Sequence, residues 1–565
     1  MSRLAFLRPF AILLAPLGLF LILLLYSLRA ESSMYWLFCE GSYYLISLMM
    51  IIWVYSCYRW FLHSSLQLKQ VLKDNALILA AALAFSFLIY FAVGPGFKVL
   101  SDETNLIAVS KSMLYEKTVY NTTMGFWYYD NFWAMNKEIP TRPLAFPYLV
   151  HLLHWLFGYS VENAFRANGI LLFFLLGLVG MILRHFWGKI TAISVLIFFL
   201  SQPILSMCAS SGGYDLLSCF LQALSLALTY DYLTRKNEHS LFCLWMSMIV
   251  LAHVRYEGFV FLPSVFLPLL VLGHLRRDLF KPYLPFYLAS PLLLVSRFWQ
   301  IRLTPGKFEN PEGVPPAGFE HFQTHAYDML LRLVDFSFEM PFATVLNLIS
   351  LVSIVLFLIF WVRGTLRFDK KVQRDFFVVL GSLVGCGLTV YLSHHFGYYA
   401  HPTQSRLFLV FVLTLPLLFV LIIRSAFPSI PPRWFLFGSL FSFLIYHPIS
   451  LEQRFPNKLI LIRETNAVMR FLNKLGHKNF LLVVERPGQY TAQDVGAVDF
   501  NWAQSNSARI ISDFRRHLYQ DIYVVENINY DNPYTQILPK EYTLESVYEL
   551  QNTESNFLRI SKLVK

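Results

Sequence analysis

Charge is what this chain has least of: Asp, Glu, Lys and Arg together make up 14% of its 565 residues. Soluble domains carry roughly a quarter of their residues as charges, so the deficit excludes an ordinary soluble fold. Cysteine is scarce too. Its six occurrences (Cys39, Cys57, Cys208, Cys219, Cys243, Cys386) fall almost all within apolar runs and form no CxxC pair, so neither a disulfide framework nor a zinc site is implied. No small-residue cleavage site follows the first apolar stretch, Arg8 to Ser27, despite its basic flank, and it reads as a retained anchor. No obvious inverted repeat of hydropathy is present, which counts against a transporter.

What is present is apolar. Hydrophobic residues make up 56% of the chain, with 53 Phe, and the mean hydropathy is +0.50. This composition predicts an α-helical polytopic membrane protein, and apolar stretches of about 15 to 24 residues give about thirteen spans. They begin near residues 9, 34, 75, 164, 190, 214, 240, 258, 283, 341, 375, 405 and 432. The net charge of +11 sits in short loops between spans, where Lys and Arg set topology and do not signal nucleic acid. Basic residues recur in every second loop, as at Arg184 and Lys189, Arg235 and Lys236, and Arg424 and Arg433. Those loops read as cytoplasmic, with the N-terminus inside. The segments near 95–163, 207–213, 255–257, 298–340 and 396–404, and everything past about 450, then face outward.

Three regions follow: an N-terminal transmembrane hairpin over 1–74, a membrane domain over 75–449 with juxtamembrane helices in its 95–163 loop, and a small α/β soluble domain over 450–565. In the last, a helix at about 461–475 precedes the strand-like "NFLLVVE" and "DIYVVENI". In the long loop, Leu106, Val109, Met113 and Leu114 line one face of an amphipathic helix that opens with Asp102-Glu103 and lies on the membrane. Carboxylates are costly near hydrocarbon, so the pair asks for a function, although a helix N-terminus also favours them there. A second interfacial helix runs about Pro147 to Phe157 and carries His151 and His154.

The order of these pieces resembles the GT-C membrane glycosyltransferases, and within them the protein O-mannosyltransferase and lipid A aminoarabinose transferase branch. The matched residues are Asp102-Glu103, Met113-Leu114, Arg142-Pro143-Leu144, Trp155 to Gly158, Arg166 and "LRHFWG", then Asp215 in "ASSGGYDLLSCF" and Arg406 in "HPTQSRLFLVFVLTLP". The resemblance covers roughly residues 75–425. Two spans precede the acidic pair where the family commonly has one. Thr141-Arg142-Pro143-Leu144 stands where His-Pro-Pro or Lys-Pro-Pro is common, and Thr104-Asn105 replaces the Arg-Tyr of the aminoarabinose branch.

The resemblance implies an inverting transfer of a monosaccharide from a polyprenyl-phosphate donor to an envelope glycolipid, lipopolysaccharide or protein acceptor on the outer face of the membrane. Such chemistry needs a base for the acceptor and cations for the departing phosphate. Asp102 would be the base, with Glu103 orienting it or holding the acceptor and Asp215 as a further catalytic carboxylate. Arg142 and Arg406 match motif positions and would hold the phosphate, since guanidinium pairs well with its oxygens. Arg255 reads equally as a phosphate ligand or as an ion pair with Glu257. Asp215 reads equally as a cap. His321 and His325, four apart, would hold a divalent metal ion if their stretch is helical. "WYYDNF" reads as interfacial aromatics, a platform for a sugar. The rival class is a transporter or flippase for a lipid-linked or anionic substrate. The expected location is the bacterial inner membrane, with the C-terminal domain periplasmic and membrane lipids as partners.

Overall fold

The computed structural model describes residues 3–64, 68–128, 131–304, 315, 317–333, 345–363, 371–399, 401, 403–426, 429–446, 448, 460–529, 543–552 and 556–564. The expected boundary after Ile449 lies outside them, as do Tyr129 and Asp130 of the aromatic stretch. The chain divides into two compact units. A membrane unit comprises Met1–Gly96, Pro143–Leu149 and Ala164–Arg454, and a sheet unit comprises Phe97–Arg142, Val150–Asn163 and Phe455–Lys565.

The described part of the membrane unit is mostly helical, as lipid requires of backbone that cannot find water. Six described helices are long and apolar enough to cross a membrane: Glu31–His63, Lys69–Val93, Glu162–Leu200, Asp215–Arg235, Lys371–Ser393 and Ser405–Arg424. Glu162–Leu200 has 39 residues, about 58 Å at 1.5 Å each, nearly twice the hydrocarbon thickness. Gly188, at φ 82° and ψ 172°, divides it, which puts a turn beside Arg184 and Lys189. Lys236 meets His274 (Nζ to Nδ1, 2.7 Å), which meets Asp375 (2.8 Å), at one end of the bundle. Asp215, Arg255, Glu257, Tyr391 and Arg406 meet at the other ends of the same helices.

Among the described residues the sheet unit holds seven strands: β1 (Asn121–Tyr128), β2 (Asn131–Glu138), β3 (Phe480–Val483), β4 (Ala497–Val498), β5 (Asp521–Asn529), β6 (Thr543–Gln551) and β7 (Asn556–Val564). Their order is β2-β1-β4-β3-β5-β7-β6. β3 runs parallel to β4 and β5, and the other pairings are antiparallel. Alternation explains why β3 is apolar at every position: Phe480, Leu482 and Val484 enter one core with Val468, Leu472 and Ile560, while Leu481 and Val483 enter another with Ile510, Phe514 and Ile522. The expected helix and two strands appear as Ile460–Asn473, β3 and β5.

The acidic pair opens the helix Leu100–Tyr115, but this helix is no surface amphipath. Asp102 through Thr104 and Leu106 through Met113 are buried, polar residues included. The reason is long-range neutralisation inside the sheet unit: Lys111 donates to Asp494 at 2.9 Å and to the Thr491 carbonyl at 3.3 Å. Its ammonium also lies 3.9 Å from the Phe132 ring centroid. Burial pushes the Lys111 ammonium below its ordinary pKa range, with Asp494 opposing.

Candidate functional site

Two carboxylate–guanidinium centres emerge, one in each unit. In the sheet unit, Asp102 lies in the first turn of its helix yet does not cap it; Val99 is the N-cap, and its own side chain makes no capping bond. Instead the Arg142 guanidinium donates to Asp102 Oδ1, from Nε at 2.8 Å and again from Nη2. The neighbouring Glu103, fully buried, accepts from the Lys98 and Val99 backbone amides at 2.8 and 2.9 Å through Oε2. The acidic pair therefore divides its labour: Glu103 reaches back to the helix start in the manner of a capping box, and Asp102 turns to arginine. Arg142, expected on a phosphate, is instead placed on the candidate base.

The second centre, in the membrane unit, is denser. Asp215 opens its helix after Ser210-Ser211-Gly212-Gly213 and is likewise no cap. Arg255 donates Nη1 to Asp215 Oδ1 and Nε to Glu257 Oε1, while Arg406 Nη1 lies 3.5 Å from Asp215 Oδ2. The Tyr391 hydroxyl donates to Glu257 at 2.7 Å. Three residues singled out from sequence, Asp215, Arg255 and Arg406, are thus brought together, and the Arg255–Glu257 ion pair exists alongside. Asp215 and Arg255 are about 4% exposed, so each charge depends on the other for compensation.

The turn before Asp215 is shaped to allow this. Asn168, fully buried, donates to the Ser211 and Gly213 carbonyls at 2.7 and 2.8 Å. A Cβ on Gly213 would come within 3.2 Å of Asp215 Oδ2 and 3.8 Å of Arg406 Nη1. Neither Asn168 nor Tyr391 carries a motif, and sequence reading passed over both.

A third cation belongs to this neighbourhood. Arg297 is 2% exposed, its guanidinium carbon 5.1 Å from the ring centroid of Tyr256, the residue between Arg255 and Glu257. Nη1 donates to Gln300 Oε1 at 2.5 Å, Nε has no hydrogen-bond partner, and no carboxylate pairs with it among the described residues. A buried guanidinium without a counter-charge is costly unless an anion arrives.

Beside the same helix ends runs an apolar groove of about 530 Å³, lined by Val260, Pro263, Leu267, Val271, Val378 and Cys386 among others. It starts three residues beyond Glu257 on one helix and five before Tyr391 on its neighbour, within one to two helical turns of the charged centre.

The histidine pair is helical as expected, with one ring nitrogen of each on a backbone carbonyl. His321 and His325 lie on the helix Phe319–Leu333, and His321 Nε2 donates to the Pro315 carbonyl at 2.9 Å while His325 Nδ1 donates to that of Leu392 at 3.0 Å. Among the described residues no three His, Cys, Asp or Glu side chains gather as metal ligands would.

No protein-family model matches this sequence, and no curated protein does. Solved structures do. ArnT from Cupriavidus metallidurans bound to undecaprenyl phosphate aligns over 86% of this chain and 98% of its own, at 13% identity and a TM-score of 0.51. The apo state of the same protein aligns over 86% and 97%, at 15% identity and a TM-score of 0.43. At this identity the likeness concerns fold alone, and the fold is the GT-C-like one that the order of motifs implied. The chain is an integral membrane protein with a GT-C-like helical body and a small sheet-bearing C-terminal region.

Proposed function

We propose that this protein is a membrane glycosyltransferase that takes a monosaccharide from a polyprenyl-phosphate donor and passes it to an envelope glycolipid, lipopolysaccharide or protein acceptor on the outer face of the membrane. The observation that carries the reading is the cluster of buried and half-buried arginines at the head of an apolar groove in the membrane unit. Arg255, Arg406 and Arg297 suit a phosphate whose tail lies along Val260–Leu272, and ArnT, whose fold this chain shares, was crystallised with undecaprenyl phosphate. The apolar wall suits an isoprenoid, and the guanidiniums suit the charge that builds on phosphate as the sugar leaves.

In this reading Asp102 is the general base, taking the proton of the acceptor as its nucleophilic atom attacks the anomeric carbon. The bond from that carbon to the phosphate oxygen breaks as the new one forms, which inverts the configuration. Arg142 holds Asp102 by its Oδ1 and so fixes the carboxylate's direction. Glu103 fixes the turn on which Asp102 stands, and Asp215 keeps Arg255 and Arg406 in place until a phosphate competes for them.

The test is a strain lacking the protein, complemented with wild type, Asp102→Asn or Arg297→Gln, its envelope glycolipids and glycoproteins compared by mass spectrometry. Loss of one sugar mass that returns only with wild type supports the proposal. Full restoration by Asp102→Asn removes the base assignment. Unchanged binding of undecaprenyl phosphate to purified Arg297→Gln removes Arg297 from the phosphate site.

A further inference from the structure

The sheet unit holds a cavity that the proposed transfer chemistry does not use. It measures about 370 Å³, within the range of about 300 to 1,000 Å³ typical of small-molecule sites. Its position follows from strand order. β3 connects to β4 on one side, and the chain then returns to place β5 on the other side of β3, so the order β4-β3-β5 reverses direction between β3 and β5. In parallel sheets, the crevice past the carboxyl ends of strands at such a reversal is where ligands bind.

The local register opens that crevice. β3 ends at Val483, opposite Val524, while β5 runs on to Asn529. Past Val483 the chain turns away through Glu485 and Arg486 to the short helix Gly488–Thr491, leaving Glu526 and Asn527 without a β3 neighbour. The helix Ile460–Asn473 closes one side with Glu464 and Thr465, and Phe500, just past β4, closes another.

The lining is polar in a particular way. Glu464, 5% exposed, accepts from Asn527 Nδ2 at 3.4 Å and from Asn552 Nδ2, and no cation pairs with it among the described residues. Glu485 and Glu526 add two carboxylates, against one guanidinium from Arg486. Gln489, Asn527 and Thr465 supply amide and hydroxyl groups, which both donate and accept, and the rings of Tyr490 and Phe500 supply apolar faces. Excess carboxylate repels phosphates and nucleotides. Neutral donors and acceptors beside aromatic faces suit a ring of hydroxyls, and a buried carboxylate without an ion-pair partner in the lining, whose nearest cation Arg463 lies outside it, suits an ammonium.

We propose that this cavity is a second ligand site, one that takes an amine-bearing saccharide. It is separate from the proposed phosphate site and does not rest on the assignment of Asp102. Glu464 and Glu526 receive the ammonium, and Gln489 and Asn527 read the hydroxyls.

Saturation-transfer NMR on the purified full-length chain in detergent micelles tests this with D-glucosamine, D-glucose and D-glucose 6-phosphate as probes. Glucosamine is expected to bind saturably and more tightly than glucose, with glucose 6-phosphate the weakest. Glu464→Gln and Glu526→Gln should each weaken glucosamine about tenfold, the scale of one lost charged hydrogen bond, and leave glucose nearly unchanged. Asp102→Asn should bind glucosamine as wild type does, whatever becomes of transfer. Absence of saturable sugar binding to wild type overturns the proposal, as does preference for glucose 6-phosphate. Equal glucosamine affinity in wild type and the glutamate variants also overturns it. Gln489→Ala decides the matter by the same readout if a glutamate variant fails to fold.

Discussion

Asp102 and Asp215 occupy the same local position, the first turn of a helix, and neither caps it; each takes an arginine 40 residues further along the chain. Their surroundings differ. The arginine of the Asp102 pair has a side chain 19% exposed, so water shares in compensating it. Asp215 sits in a denser network of two guanidiniums, a second carboxylate and a phenol, and its own charge and that of Arg255 rely almost wholly on protein. The first arrangement can be altered at little cost to the fold, whereas the second holds together the ends of several helices. Asp102 is therefore the place to look for chemistry uncoupled from stability, and Asp215 the place where the two are bound together.

Removing Arg255 tests this contrast most severely. Arg255→Ala strands Asp215 and Glu257, and thermal unfolding in detergent should show a loss of about 3–5 kcal/mol, the scale of one deleted partner in a buried pair. Asp102→Asn should do the reverse, lowering transfer about 100-fold or more with a stability change below about 1 kcal/mol. A large drop in melting temperature for Asp102→Asn would erase the distinction. Glu103→Ala should cost about 1–2 kcal/mol through the lost amide bonds at 98 and 99, with turnover per folded molecule largely kept.

Acid should weaken the sheet unit. His154, fully enclosed, bonds to Ser110 at 3.0 Å through Nε2 and to Asn163 at 3.0 Å through Nδ1, and burial lowers its pKa from 6.5 to about 3. The unfolded chain then binds a proton that the folded one refuses, so stability falls as pH drops from about 6.5 towards 3. His154→Gln should flatten that slope in pH-dependent unfolding. The smallest effect belongs to Gly213→Ala, whose Cβ lies in tight contact with Asp215 and should cost about 1 kcal/mol.

Hydropathy alone revealed the helical body, and the short continuous apolar run at 480–484 revealed a strand, because both signals are local. The second centre was half legible. Asp215 and Arg406 stood out by motif and Arg255 by its acidic neighbour, but their convergence depends on packing among helices up to 191 residues apart, and Tyr391 and Asn168 carry no signal at all. The helix Leu100–Tyr115 misled for a similar reason. Its polar residues suggested a wet face, and only Asp494, 383 residues from Lys111, makes that face a buried one. β1 and β2 read as a membrane-surface loop because the strand that receives them, β4, is two residues long and lies near the far end of the chain.

That last pairing sets a timetable. Trp127 donates to the Asp494 carbonyl across a separation of 367 residues, and Gly125 pairs with Ala497. Translation at about 5–20 residues per second leaves β1 and β2 waiting roughly twenty seconds to over a minute for their partner strand. During that interval the nascent hairpin has an unclaimed edge, and the cell must shelter it or keep it from pairing with another copy until the last fifth of the protein is made.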